Sequence, residues 1–436
     1  MIRQKKPSPV CGRGLGEGVA LALAATVLTL LFLTASAQAD QDTYLNVERG
    51  RALATAGDCI ACHTAPNRPA FSGGRPLETP FGNINTANLT PDPETGLGTW
   101  NTDEFYRAMH HGISKNGAYL YPAFPYPYYT KVTRDDSDAI FAYLRTLPPV
   151  SNQVDRNTLP FPFNIRTSML AWNAMFFTPG NFHPDPAHSE EWNRGAYLVE
   201  GLGHCGACHT PMNTLGGSKS SQPLQGNVIQ SWLAPNITGD SRIGVGGWGV
   251  DDIVEYLRTG RNKIAAASGP MAEVVQFSTS LMPEPDLRAI ATYLRDTNAP
   301  PRANPNLAAP IPAPGPAPIP STDAVMQTGR SIYLDTCSAC HTAKGEGVEL
   351  LFPRLAGAPG VQQPDPTTLI RVVISGARTA ATNAAPTAPA MPSLGWRLDD
   401  AQVAAVLTYV RNSWGNAAPA VSASEVARMR SRVTGR

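Results

Sequence analysis

The sequence predicts a mainly α chain, built as three tandem copies of one small helical module. Two observations carry this. The pattern Cys-x-x-Cys-His occurs three times, at Cys59–His63, Cys205–His209 and Cys337–His341, where composition alone predicts about 0.002 occurrences. The flanks of the three copies also match. Arg49-Gly50-Arg51-Ala52-Leu53, Arg194-Gly195-Ala196-Tyr197-Leu198 and Gly329-Arg330-Ser331-Ile332-Tyr333-Leu334 lead into the motifs with helical periodicity. Segments 139–145, 289–295 and 405–411 close the modules, each with a Tyr (Tyr143, Tyr293, Tyr409) followed two residues later by Arg. Asp135 and Asp136, Glu284 and Asp286, and Asp399 and Asp400 precede them, where a helix N-terminus favours negative charge.

In chain order, residues 1–39 read as a signal peptide. Arg3, Lys5, Lys6 and Arg13 precede the apolar run 19–33, and Ala37-Gln38-Ala39 supplies a small-residue cleavage site. Residues 40–150 form the first module, 151–190 an apolar connector and 191–298 the second module. The connector contains 159–163 and 169–177, rich in Phe, Leu, Met and Trp, which suit packing across the first two modules or a docking surface for a partner subunit or membrane. Residues 299–320 hold nine Pro among 22 and read as an extended spacer that leaves the angle between modules free. Residues 321–416 form the third module, and 417–436 a polar, basic tail. Modules one and two share Asn88-Leu89-Thr90-Pro91-Asp92 and Asn236-Ile237-Thr238-Gly239-Asp240, each followed by a Trp (Trp100, Trp248) expected to fill core.

Each motif places two thiols one helical turn apart with an imidazole beside them. That is the attachment signature of a c-type haem: the cysteines add to the two vinyl groups, and the histidine becomes an axial ligand. A zinc site needs four ligands, and no second Cys pair stands near any motif. The expectation is three covalently bound haem c groups, on Cys59, Cys62, Cys205, Cys208, Cys337 and Cys340, with iron ligated by His63, His209 and His341. Low-spin haems of this kind usually take Met as sixth ligand. Met391, in Pro389-Ala390-Met391-Pro392, and Met271, in Gly269-Pro270-Met271, are assigned that role; Met282 competes with Met271. The first module has Phe124 where the third has Met391, and Phe cannot ligate iron. Met109, His110, His111, Met169 and Met175 are the candidates for its sixth position, and an open iron is the other outcome.

Export suits this chemistry, because such haems are attached outside the bacterial cytoplasm. Without residues 1–39 the chain carries 31 basic against 33 acidic side chains. No basic patch points to nucleic acid. No phosphate-binding glycine loop, nucleophile elbow or metalloprotease motif is present, so no catalytic residue is assigned outside the haems.

A leading and a closing helix crossing beside a haem is the class I cytochrome c arrangement, which the modules resemble. As a whole the chain is similar to the triple-haem cytochrome c subunits of bacterial membrane-bound dehydrogenases. The likeness rests on the Arg-Gly-x-Tyr-Leu starts, Asn-Leu-Thr-Pro-Asp, Gly117-Ala118-Tyr119-Leu120-Tyr121-Pro122-Ala123-Phe124-Pro125-Tyr126 and Gly269-Pro270-Met271-Ala272-Glu273-Val274-Val275. It implies an electron-relay subunit on the periplasmic side of the inner membrane, attached to its outer face. The electrons would come from a quinone-, flavin- or molybdenum-dependent catalytic subunit and pass to ubiquinone or a terminal oxidase, with a small third subunit as a further partner. The alternative is a peroxidase-like haem enzyme using an open first haem.

Overall fold

The computed structural model describes residues 43–155, 157–297 and 315–434. The expected signal peptide and most of the Pro-rich spacer lie outside the described residues. Helices dominate, with three short antiparallel hairpins, one per module.

In every module the leading helix crosses the closing helix. The leading helices are 43–56, Glu190–Tyr197 and Ala324–Ile332; the closing helices are Arg134–Leu144, Glu284–Asp296 and Asp400–Arg411. The crossing explains one shared residue of the leading segments. A Cβ on Gly50 would sit 1.8 Å from the Ala139 carbonyl oxygen, on Gly195 2.0 Å from that of Ala289, and on Gly329 2.2 Å from that of Ala405. Only glycine lets two backbones approach so closely.

The acidic residues ahead of the closing helices also have partners. Asp136 pairs with Arg49 at 2.5 Å, and Asp286 takes both nitrogens of Arg194 at 2.8 Å. Each pair ties a leading helix to its closing helix, the Asp being largely buried. Side-chain caps start several helices: Thr133 accepts from the Asp136 amide, and Asn101 and Asp399 form reciprocal capping boxes with Glu104 and Gln402.

The first two modules share one core. Leu53, Phe105, Ile140 and Leu144 are continuous with Leu198, Leu202, Ile253, Leu257, Leu287 and Leu294. The connector packs across the first two modules on one side. Trp172, in the helix Ser168–Phe176, is buried, meets Tyr126 and donates through Nε1 to the Leu215 carbonyl of module two. Phe161, Phe163, Ile165, Leu170 and Met175 are exposed.

The third module has its own core, including Ile370, Ile374, Val403 and Leu407. Two expectations change here. The tail is not an appendage: Ala423–Thr434 is a helix that buries Val426 and Met429 in this core. Its spacing, with Val421, Val426, Met429 and Val433 among polar residues, forms a short apolar stripe beneath the basic composition. Nor is the angle to module two left free. Thr368 bonds both the amide and the carbonyl of Leu233, Arg371 stacks over Trp232 with 4.6 Å to the ring centre, and Gln363 donates to the Ile243 carbonyl. These polar contacts, and an apolar cluster of Ala380 with Ala267 and Val275 of module two, hold the modules together.

Candidate functional site

The three motifs fold alike. Cys59–Cys62, Gly206–His209 and Ser338–His341 are single helical turns. In modules two and three the leading helix widens into a π-turn, Leu198–Leu202 and Tyr333–Cys337, just before that turn. None of the six cysteines is in a disulfide. Burial pushes the Cys59, Cys62 and Cys205 thiols up to about 12, and those of Cys208 and Cys337 to about 11. Burial thus favours the neutral thiol at these five positions, whereas Cys340 is exposed.

The histidines are oriented identically. His63 Nδ1 lies 2.7 Å from the Ala87 carbonyl oxygen, His209 Nδ1 2.7 Å from that of Pro235, and His341 Nδ1 2.9 Å from that of Pro353. A carbonyl only accepts, so Nδ1 carries the proton and the Nε2 lone pair is left to bind metal. Burial also holds all three imidazoles below their ordinary pKa, which favours the neutral, ligating form.

The residues just before the two Asn-x-Thr-x-Asp repeats supply two of those carbonyls, a role that sequence inspection missed. Ala87 and Pro235 immediately precede Asn88 and Asn236. Asn88 Oδ1 accepts from the amide and hydroxyl of Thr90, and Asn236 Oδ1 does the same with Thr238. Both Asn side chains are buried. Module three reaches this shell directly, because the Asn236 amide donates to Gln363 Oε1 at 3.4 Å.

The residues fit haem c. Each motif offers two free thiols and one imidazole with its metal-binding nitrogen available. In addition, Arg107 Nε and Trp248 Nε1 are buried donors without acceptors among the described residues; a ring bearing two carboxylates would supply them. Trp248 also fills core, as expected, against Tyr256.

The methionines divide. Met271 opens the helix Pro270–Phe277 and is half-buried against the cluster of Ala267, Val275 and Ala380. Gly269 before it has φ 56°, and its backbone lies so close under Trp232 that a Cβ would meet the ring at 2.4 Å. Met391 is half-buried in a two-residue strand paired with Ala377–Arg378. Met282 is core.

In module one two of the five candidates for the sixth position, Met109 and His110, have side-chain hydrogen-bond partners. Met109 is buried with its sulfur 3.9 Å from the Ser137 hydroxyl. His110 contacts Asn181 through Nε2 at 2.8 Å and Thr130 through Nδ1 at 3.5 Å. His111 packs edge-on to His110, and Met175 projects outward. Phe124 packs against Tyr129, 5.4 Å between ring centres.

Sites one and two adjoin. Tyr129 donates to the Gly57 carbonyl at 3.2 Å while its ring stands 5.3 Å from that of His204, the residue before Cys205. In return, Ser278 of module two donates to the Ala56 carbonyl at 3.3 Å. Arg75 donates to the Ala61 carbonyl at 2.6 Å and pairs with Glu273 at 2.7 Å. Asp58, half-buried in this seam with one oxygen lacking a partner among the described residues, is pushed up to about 8, by burial first and then by Glu273.

The chain is similar to known cytochrome c subunits over most of its length. The cytochrome c family model matches residues 47–148 and 326–414. The chain is 40% identical to the gluconate 2-dehydrogenase cytochrome c subunit of Pantoea cypripedii, over 90% of this chain and 91% of that one. It is 37% identical to the cytochrome c subunit of a quinone alcohol dehydrogenase of Gluconacetobacter polyoxogenes, over 90% and 85%. With the fructose dehydrogenase cytochrome subunit of Gluconobacter japonicus it shares 36% identity, over 88% and 82%.

Proposed function

This chain belongs to the cytochrome c family, among the cytochrome c subunits of dehydrogenases, and from that premise we propose a relay of three haems. Haem c is its cofactor, electron transfer its activity, and a dehydrogenase catalytic subunit its partner. In the proposal Cys59 and Cys62, Cys205 and Cys208, and Cys337 and Cys340 each carry one haem. His63, His209 and His341 ligate from one side; Met271 and Met391 ligate two of the irons from the other. Bound haem supplies the one-electron chemistry. The chain holds each imidazole in one tautomer, keeps the clefts apolar and fixes the spacing between sites.

The observation that carries the reading is the threefold repeat of an imidazole whose Nδ1 is held by a backbone carbonyl beside two unpaired thiols. Electrons would come from the catalytic subunit and leave to ubiquinone or a terminal oxidase, with the protein exported to the periplasm and held at the outer face of the inner membrane. Intact mass of the purified protein tests the count. Three haem increments and an N-terminus at Asp40 are expected; two increments would remove one site from the proposal.

The first site supports a second reading. Phe124 offers no donor, and Met109 and His110 are engaged elsewhere, so an open iron at this site would bind external ligands. Carbon monoxide binding to one haem in three, with peroxide turnover, is its expected mark; three inert haems would leave the relay alone.

A further inference from the structure

The exposed side of the connector has a composition that neither core nor relay uses. Phe161 is 78% exposed, Leu170 and Met175 are 59% exposed, and Phe163 and Ile165 lie beside them in the chain at 38% and 42%. Leu215 of module two, bonded through its carbonyl to Trp172, extends the patch at 50%. From residue 157 to 184 the chain has no Asp or Glu, and the helix Ser168–Phe176 has no charged residue.

The patch is held firmly. Trp172 is buried beneath the helix, the Tyr126 hydroxyl donates to Asn173 at 2.5 Å, and the Phe163 ring stands 4.8 Å from Phe81. Its one cation, Arg166, lies over the Tyr121 ring and donates to the Tyr119 carbonyl at 2.9 Å. No helix among the described residues is long and apolar enough to cross a membrane.

We infer that this patch is the chain's lipid contact: the tips of Phe161, Phe163, Ile165, Leu170 and Met175 enter the headgroup boundary of an anionic bilayer. Charge decides for lipid. A surface of acidic headgroups repels carboxylates, and this segment has none across 157–184, whereas it carries a cation and several large apolar side chains. The inference rests on the membrane location proposed above, but not on the haem count, so the two fail separately.

The test is flotation of the haem-loaded protein with vesicles of phosphatidylethanolamine and phosphatidylglycerol, followed by haem absorbance. The wild type should float. Phe161→Asp with Leu170→Asp, and separately Ile165→Asp with Met175→Asp, should each weaken vesicle binding about tenfold or more. Leu350→Asp with Leu351→Asp, on exposed apolar residues of module three, should leave it unchanged. Retained haem absorbance shows that each variant has folded. A wild type that stays unbound, or patch variants that float like it, would overturn the inference. So would variants that lose the catalytic subunit, or dissolve a dimer, while vesicle binding is kept.

Discussion

Each site is decided by a few hydrogen bonds. Asn88 and Asn236 are cross-braces for the loops whose carbonyls orient His63 and His209. Asn88→Ala or Asn236→Ala should destabilise the fold by about 1–3 kcal/mol, the cost of leaving buried partners unpaired. It should also raise the potential of the corresponding haem, since a weaker bond at Nδ1 makes the imidazole a poorer donor to iron. A redox titration of each variant beside the wild type checks both sign and site. Asp58 gives a pH effect. Its folded pKa is raised, to about 8, so folding is favoured while it is protonated. That contribution is full below the ordinary carboxyl pKa and is lost as pH rises through about 8. Asp58→Asn should therefore flatten the fall in melting temperature between neutral and mildly alkaline pH; an unchanged pH profile would show that Asp58 is not buried in this way.

Among the elements, the helix crossing is the least forgiving. Ala at Gly50, Gly195 or Gly329 would place a methyl inside a backbone carbonyl of the closing helix. Each substitution should cost more than about 3 kcal/mol, as overpacking without room to relax does, and should abolish haem attachment to that module first. The tail helix is structural in the same sense. Truncation at residue 416 removes Val421, Val426 and Met429 from the third core, together with the Arg430–Asp400 pair. Met429→Ala alone should destabilise the third module by about 2–5 kcal/mol. Module three uses this pair, from the tail, where modules one and two use Arg49–Asp136 and Arg194–Asp286 from the leading helix.

Across the whole molecule, modules one and two are one body and module three a second, joined through Thr368, Gln363 and Arg371. Calorimetry should show the first two modules melting together and the third as a separate transition. Threefold melting would contradict the shared core of modules one and two, and merged melting the independence of the third. The sequence made the modules, motifs and helix pairs legible because each rests on local spacing: two thiols one turn apart, a glycine in a leading helix, acids at a helix start. It left hidden whatever depends on distant contacts. The Ala87, Pro235 and Pro353 carbonyls are backbone groups and have no side-chain signature. The buried stripe of the tail is masked by its arginines. The seam of Tyr129, His204 and Ser278 exists only once two modules pack.

The relay itself is tested most directly by an optical redox titration of the purified protein, with Met271→His and Met391→His beside it. The account predicts three one-electron haem steps in the wild type. In each variant one step, a different one, should move down by more than about 100 mV, the scale of exchanging an axial Met for His. Fewer than three steps, or three that neither substitution moves, would contradict it.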